Sequence, residues 1–227
     1  MTAMRRALRV LSTVLIAAGA LLIADAAATL LWKEPLSSLY ARVQQERLDD
    51  RLAELEHGRP AASERRVLAR LPDTRRRLRF AARAALRHAQ PGDPVGRLRA
   101  SAIGLDVVVV AGNDAATLRK GPGHYPDTPL PGGRGTVAIA GHRTTYGAPF
   151  RDVDELERGD AIELRMPYGR FTYRVERTRV VAPTALWVTR RVAYDRLVLT
   201  ACHPLYSASE RIVVFARLER SLPSFGS

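Results

Sequence analysis

The sequence predicts a mainly β domain, a closed barrel or sandwich, preceded by a helical N-terminal third. Three observations carry that reading. After Gly96 the chain becomes a succession of short apolar, largely β-branched runs separated by turn signals. Before it, residues 35–56 place leucines at three-to-five-residue steps with charges between them, which is helical spacing. Ahead of both, residues 10–32, VLSTVLIAAGALLIADAAATLLW, form an apolar run of the length a bilayer demands of a helix.

Arg5, Arg6 and Arg9 precede that run, so the positive-inside tendency leaves residues 1–9 in the cytoplasm and everything after Trp32 outside. Asp25 falls within about two helical turns of the outer end, within reach of the headgroups. Ala24 to Ala28 offers the A-x-A spacing of a cleaved signal peptide. The apolar run continues through Leu30, Leu31 and Trp32, however, which favours an uncleaved single-pass anchor in the cell membrane.

Residues 33–94 read as a helical, arginine-rich stalk or linker. Pro35 suits a first helical position, and Leu36, Leu39, Val43, Leu48, Leu52 and Leu55 recur along the helix that follows. A stalk is the expectation, and a short coiled coil making a dimer is the alternative. HGRPAAS at 57–63 breaks the helix. Residues 64–90, with RRRLRF at 75–80, then read as a solvated face or flexible tether, or as a segment adhering to an acidic membrane or wall polymer. PGDPVG at 91–96 marks the boundary of the next domain.

Strands are expected at Leu98–Ile103, Asp106–Ala111, Thr136–Ala140, Ala161–Met166, Phe171–Val181, Leu197–Ala201 and Ile212–Leu218. Turns at Gly112-Asn113, Gly132-Gly133, Arg158-Gly159-Asp160 and Tyr168-Gly169-Arg170 separate several of them, a short helix is expected near Ala115–Lys120, and Arg151–Leu156 should make another turn. The domain then spans 95–220, with 221–227 as a tail.

A single cysteine in 227 residues excludes an intrachain disulfide. The formal charge of +13 would suit nucleic acid, but aromatic residues are only 6% and no basic helix carries base-reading residues in a known pattern, so anionic lipid or cell-wall polymer is the expected counter-surface. No carboxylate cluster has calcium-loop spacing, so neither metal nor cofactor is expected. A zinc site on Cys202, His203 and His142 is disfavoured, because adjacent Cys and His point apart in a strand.

The chemistry concentrates in residues 197–218, LVLTACHPLYSASERIVVFARL. Cys202 closes one strand and Arg211 opens the next, with eight residues between them. An antiparallel hairpin makes thiol and guanidinium neighbours, and alternation puts Val198, Thr200 and Cys202 on one face and Arg211, Val213 and Phe215 on one face of the partner. A nearby cation favours the nucleophilic thiolate, or the oxyanion formed on an acyl carbon it attacks. His142 is the best acid/base: in GTVAIAGHRTTYGAPF (135–150) an apolar run ends at Gly141 and delivers it to a strand terminus. His124, in GPGHYPDTP, reads as a loop residue, and His203 should point away from its neighbour Cys202.

TACHP followed by SASERIVV resembles the sortase signature, in which Thr-x-Cys ends one strand and an Arg begins the next. GHRTTYGAPF resembles the sortase histidine segment in the wording of class E, the housekeeping type of high-GC Gram-positive bacteria, and GPGHYPDTPLPG resembles the segment before the histidine strand. The resemblance covers about 95–220 and implies an eight-stranded β-barrel. It also implies a cysteine transpeptidase that cleaves a C-terminal sorting signal between Thr and Gly, using Cys202 as nucleophile, His142 as acid/base and Arg211 at the oxyanion. Its expected partners are secreted proteins bearing that signal and an amine acceptor such as a lipid-linked peptidoglycan precursor. Tyr125 matches a Tyr associated with an LAXTG rather than LPXTG signal. Thr200 is expected to line the groove, with Tyr146 and Tyr206 as candidate walls. An L,D-transpeptidase is the nearest rival, but its histidine precedes S-x-G-C by less than twenty residues; papain-like enzymes place Cys before His. A non-catalytic, membrane-tethered peptide-binding barrel is the remaining alternative.

Overall fold

The computed structural model describes residues 2–31, 35–58 and 61–224. Four helices come first: α1 (Thr2–Leu31), α2 (Pro35–Gly58), α3 (Ala62–Arg70) and α4 (Thr74–His88). Eight strands follow: β1 (Pro94–Ala100), β2 (Leu105–Ala111), β3 (Gly123–His124), β4 (Thr136–Ala140), β5 (Ala161–Met166), β6 (Gly169–Val181), β7 (Arg196–His203) and β8 (Glu210–Pro223). A four-residue helix, α5 (Ala115–Leu118), lies between β2 and β3. The strands close into one barrel in the order β1-β2-β3-β4-β7-β8-β6-β5. Closure removes every sheet edge.

Period-two alternation sorts the two faces. Leu197, Leu199, Ala201, Ile212, Val214 and Ala216 point into the barrel with Leu98, Ile139, Ile162 and Phe171, all buried. Val198, Val213 and Phe215 point outward and are buried instead beneath Val188, in the single turn Leu186–Thr189. Trp187 from that turn stacks on Phe215 at 6.0 Å between ring centroids.

Several boundaries differ from expectation. β1 begins at Pro94 and stops at Ala100, and Ser101–Ile103 is a single 3-10 turn closed by Gly104 in the left-handed region at φ 62°. Proline is tolerated at a strand's first residue, where it costs no ladder hydrogen bond. His124 is not in a loop: with Gly123 it pairs in parallel with β2 and antiparallel with β4, and it is buried.

The larger correction concerns residues 33–94. Among the described residues of that segment α2, α3 and α4 are helical, but α2 and α4 lie against the barrel rather than standing free of it as a stalk. Leu48 and Leu52 of α2 bury themselves on Val108 and Val110, the outward residues of β2. Gln45 accepts from the Val108 amide at 2.7 Å and donates to the Lys120 carbonyl at 2.9 Å. Arg97 pairs with Asp49, and Arg165 with Glu56. In α4, capped by Asp73, Arg75, Arg76, Arg83 and Arg87 are exposed while Leu78 and Ala82 join the barrel core. Gly132, at φ 92°, lies so close that a Cβ there would stand 3.2 Å from the Leu78 carbonyl oxygen.

In α1, Arg5–Ala24 is long and apolar enough to cross a bilayer and none of it is buried by the rest of the chain. Trp32, the last residue of the expected span, and 225–227 of the expected tail lie outside the described residues.

Candidate active site

β4 and β7 run parallel with a constant offset, from Thr136 opposite Arg196 to Ala140 opposite Thr200. The Gly141 amide extends this ladder, donating to the Thr200 carbonyl at 3.0 Å. The same offset of 60 separates His142 from Cys202. β4 ends at Ala140, so His142 lies two residues beyond the paired segment, as Cys202 lies two residues beyond Thr200. On the other side of β7 the antiparallel ladder pairs Cys202 with Arg211. His142 thus follows the end of β4, while Cys202 near the end of β7 and Arg211 near the start of β8 sit on the next two strands of the barrel.

Alternation places Cys202 on the outward face, two residues beyond Thr200 and four beyond Val198. The thiol is free and partly exposed. Arg211 donates from Nη1 to the carbonyls of Ala208 at 2.9 Å and Glu210 at 2.8 Å, which holds the guanidinium against its own loop.

His142 is half-buried. Only glycine fits before it, since a Cβ on Gly141 would meet the Phe150 ring at 2.5 Å. Tyr146 tilts over the imidazole at 5.3 Å between centroids. Nε2 is sealed from solvent and has no hydrogen-bond partner among the described residues. Burial, and secondarily the charge of Arg119, holds this imidazole below its ordinary pKa. The same Arg119 sits 5.8 Å over the Tyr146 ring. His124 is a different case: burial pushes its pKa down to about 4, and Nε2 faces the Pro129 carbonyl at 3.1 Å.

The four residues expected to line the groove divide into a bonded pair, a half-buried ring and an exposed one. Tyr125 and Thr200 share a hydrogen bond of 3.0 Å between their hydroxyls. Tyr146 packs between His142 and Tyr40 of α2, and its backbone amide donates to Ser37 Oγ at 3.1 Å. Tyr206 stands 60% exposed on the β7–β8 loop.

Sequence reasoning missed Arg143. Its side chain is 2% exposed and donates to the Arg151 carbonyl through Nε (3.0 Å) and Nη2 (2.8 Å), to Asp154 at 2.6 Å, and from Nη1 to His203 Nδ1 at 3.3 Å. It ties the loop after His142 to the residue after Cys202. The available signal was an arginine beside the histidine with Asp154 eleven residues on, and nothing in that spacing distinguishes it from a surface pair. His203 does turn to Arg143, as its position beside Cys202 in an extended chain required.

A free, outward-facing cysteine at a strand end of a closed eight-stranded barrel, flanked on the adjacent strand ends by a histidine and an arginine, defines a barrel protein built around one thiol. Residues 98–219 match the family model described as the sortase domain. The chain belongs to the sortase family, whose members are cysteine transpeptidases. It is 34% identical over 133 residues to Sortase D of Bacillus subtilis (strain 168), a match covering 56% of this chain and 65% of that one. It is also 29% identical over 115 residues to Sortase SrtE1 of Streptomyces coelicolor, covering 44% of this chain and 33% of that relative. Each match therefore spans less than two thirds of the relative's length. Among solved structures, sortase E from Streptomyces avermitilis superposes with a TM-score of 0.54 at 32% identity, covering 59% of this chain and 93% of that one. A Clostridium perfringens Sortase D5 transpeptidase shares the fold, with a TM-score of 0.62 at 22% identity over 78% of this chain and 99% of that one.

Proposed function

We propose that the protein is a membrane-anchored cysteine transpeptidase of the class E type, with Arg5–Ala24 inserted in the membrane and the barrel outside the cell. It cleaves a C-terminal LAXTG-like sorting signal between Thr and Gly and transfers the acyl protein to an amine of a cell-wall precursor or another protein. The observation that carries this reading is the shared β4–β7 and β7–β8 register, which supports Cys202 as a nucleophile between His142 and Arg211.

The steps follow from the chemistry. His142, its imidazole kept neutral by burial, takes the proton of the Cys202 thiol. The thiolate attacks the Thr carbonyl, and Arg211 donates to the oxyanion that forms. Collapse breaks the Thr–Gly bond, leaving a thioester on Cys202 while His142 delivers its proton to the departing glycine amine. The incoming amine then attacks the thioester, losing its proton to His142, which returns it to the sulfur. Tyr125 and Thr200, joined through their hydroxyls, form the groove wall that prefers Ala in the signal, with Tyr146 and Tyr206 completing it.

Incubation of the chain with a fluorogenic LAXTG peptide tests the proposal. Cleavage is expected, with an acyl adduct on Cys202 in intact-mass spectra, and Cys202→Ala should lower turnover by at least about a thousandfold. Peptide binding without cleavage, unchanged in Cys202→Ala, would instead identify a non-catalytic binding barrel.

A further inference from the structure

Six arginines on the barrel surface are matched by acids: Arg97 and Arg99 with Asp106, Arg165 with Glu56, Arg170 with Glu163, Arg174 with Glu219 and Arg217 with Glu176. Four arginines without such a match cluster together. Arg79, Arg83, Arg134 and Arg191 have no ion pair among the described residues, and all four line one cavity of about 380 Å³. Asp127 is the single carboxylate facing them. A second hollow of about 490 Å³ shares Arg79 and Arg134 and adds Arg75 and Arg220, so cationic lining continues from one into the other. Its own acids are engaged: Glu219 with Arg174, and Asp195 with the Gly135 amide at 3.2 Å.

Two features make this more than the surface of a basic protein. Arg75, Arg79 and Arg83 stand at successive four-residue steps along α4, each repelling the next. The cap residue Asp73 does not relieve them, because it pairs with Arg76. In addition, Arg79 Nε is withdrawn from water without a hydrogen-bond partner, a costly state for a charged group's donor. Thr136, also in the lining, opens β4, six residues before His142, so the cavity lies about 20 Å along the barrel from the candidate catalytic end.

We propose that this cavity binds a phosphate-bearing anion, held between Arg79 and Arg83 of α4, Arg134 of the loop before β4, and Arg191. Several guanidinium forks around one cavity suit a multi-oxygen phosphate group, each fork able to take two oxygens in parallel. A monocarboxylate would leave most of these donors unused. Binding would offset the repulsion among the arginines along α4.

The test is titration calorimetry on the full chain in neutral detergent, with inorganic pyrophosphate and, separately, dihexanoyl phosphatidylglycerol as probes. Saturable binding of at least one probe is expected, weakened about tenfold or more in R79Q/R134Q. It should be unchanged in R42Q/R158Q, which removes the same charge from exposed positions elsewhere. Tighter binding of the lipid analogue would mark a headgroup as the source, and tighter binding of pyrophosphate a free or polymeric phosphate. Arg134→Gln alone, in an exposed loop, guards against misfolding of the double variant and should also weaken binding. Equal loss in both double variants, or no saturable binding of either probe, overturns the proposal.

Discussion

The rim of the barrel that carries the candidate site and the helical collar around it are assembled by different means. At the rim, backbone register does the placing: the parallel β4–β7 ladder runs to Ala140 and Thr200, two residues short of His142 and Cys202, and an antiparallel pair brings Arg211 beside Cys202. The collar is held by side chains, through Leu48 and Leu52 on β2 and Leu78 and Ala82 in the core. The two meet where Ser37 and Tyr40 of α2 touch Tyr146. Register is insensitive to most single substitutions, whereas docking is the sum of a few buried contacts. Collar substitutions should therefore change stability first, and rim substitutions turnover first.

The largest expected effect tests the collar. Leu48→Ala and Leu52→Ala should each cost about 2–5 kcal/mol, read as a lower denaturation midpoint and faster amide exchange at Val108 and Val110. Unchanged midpoints would make α2 a free stalk and abolish the contrast.

His124 sharpens the contrast from within the barrel, as a buried histidine to which the proposed mechanism gives no step. Its folded pKa of about 4 lies below the ordinary 6.5, so between those values the unfolded chain binds the extra proton. The stabilisation is complete above pH 6.5 and is lost as pH falls through the window to about 4, amounting to about 3 kcal/mol. Denaturant midpoints measured across that range should drop with acid, and in His124→Phe this part of the slope should vanish while cleavage activity at neutral pH persists.

Arg143 is where the two kinds of assembly overlap, because it is rim in position but docked like the collar. Arg143→Ala strips donors from the Arg151 carbonyl and Asp154 and frees His203. We expect about 2 kcal/mol of lost stability, since Asp154 is 42% exposed and partly rehydrates, and about a tenfold fall in kcat. Arg143→Lys should restore part of the stability but little of the rate, because an ammonium cannot span the carbonyl, the carboxylate and the imidazole together. Full recovery of both would reduce Arg143 to a counter-charge for Asp154.

The same division decides what could be read from sequence. Alternation in β4, β7 and β8 is local, so the strands, their faces and the neighbouring of Cys202 and Arg211 followed from residue order alone. β3 is two residues among glycines and prolines, and only its pairing with β2 and β4 makes it a strand. In α4 the arginine count hid the inward stripe of Leu78, Ala82 and Ala85, whose helical spacing was visible but whose target, the barrel, was not. Arg143 could not be recognised because its burial depends on a loop folding back to present Asp154 and the Arg151 carbonyl. Interactions set by periodicity were legible; those set by one surface meeting another were not.

The smallest effect probes the rim by charge alone. Arg119 lies over Tyr146 and disfavours protonation of His142, second to burial. Arg119→Gln removes a like charge, so the His142 pKa should rise toward its ordinary value without reaching it, because burial remains. Its ring-proton shifts followed by NMR against pH should move to a higher midpoint. With His142 as the base proposed for Cys202, the acid limb of the cleavage rate should move up with it, since the neutral imidazole is then depleted at higher pH. The denaturation midpoint should stay where it is, as expected of a rim residue that neither fills the core nor holds a helix. A shift of the imidazole with no shift of the rate would separate His142 from the proton transfer and leave register as the rim's only contribution.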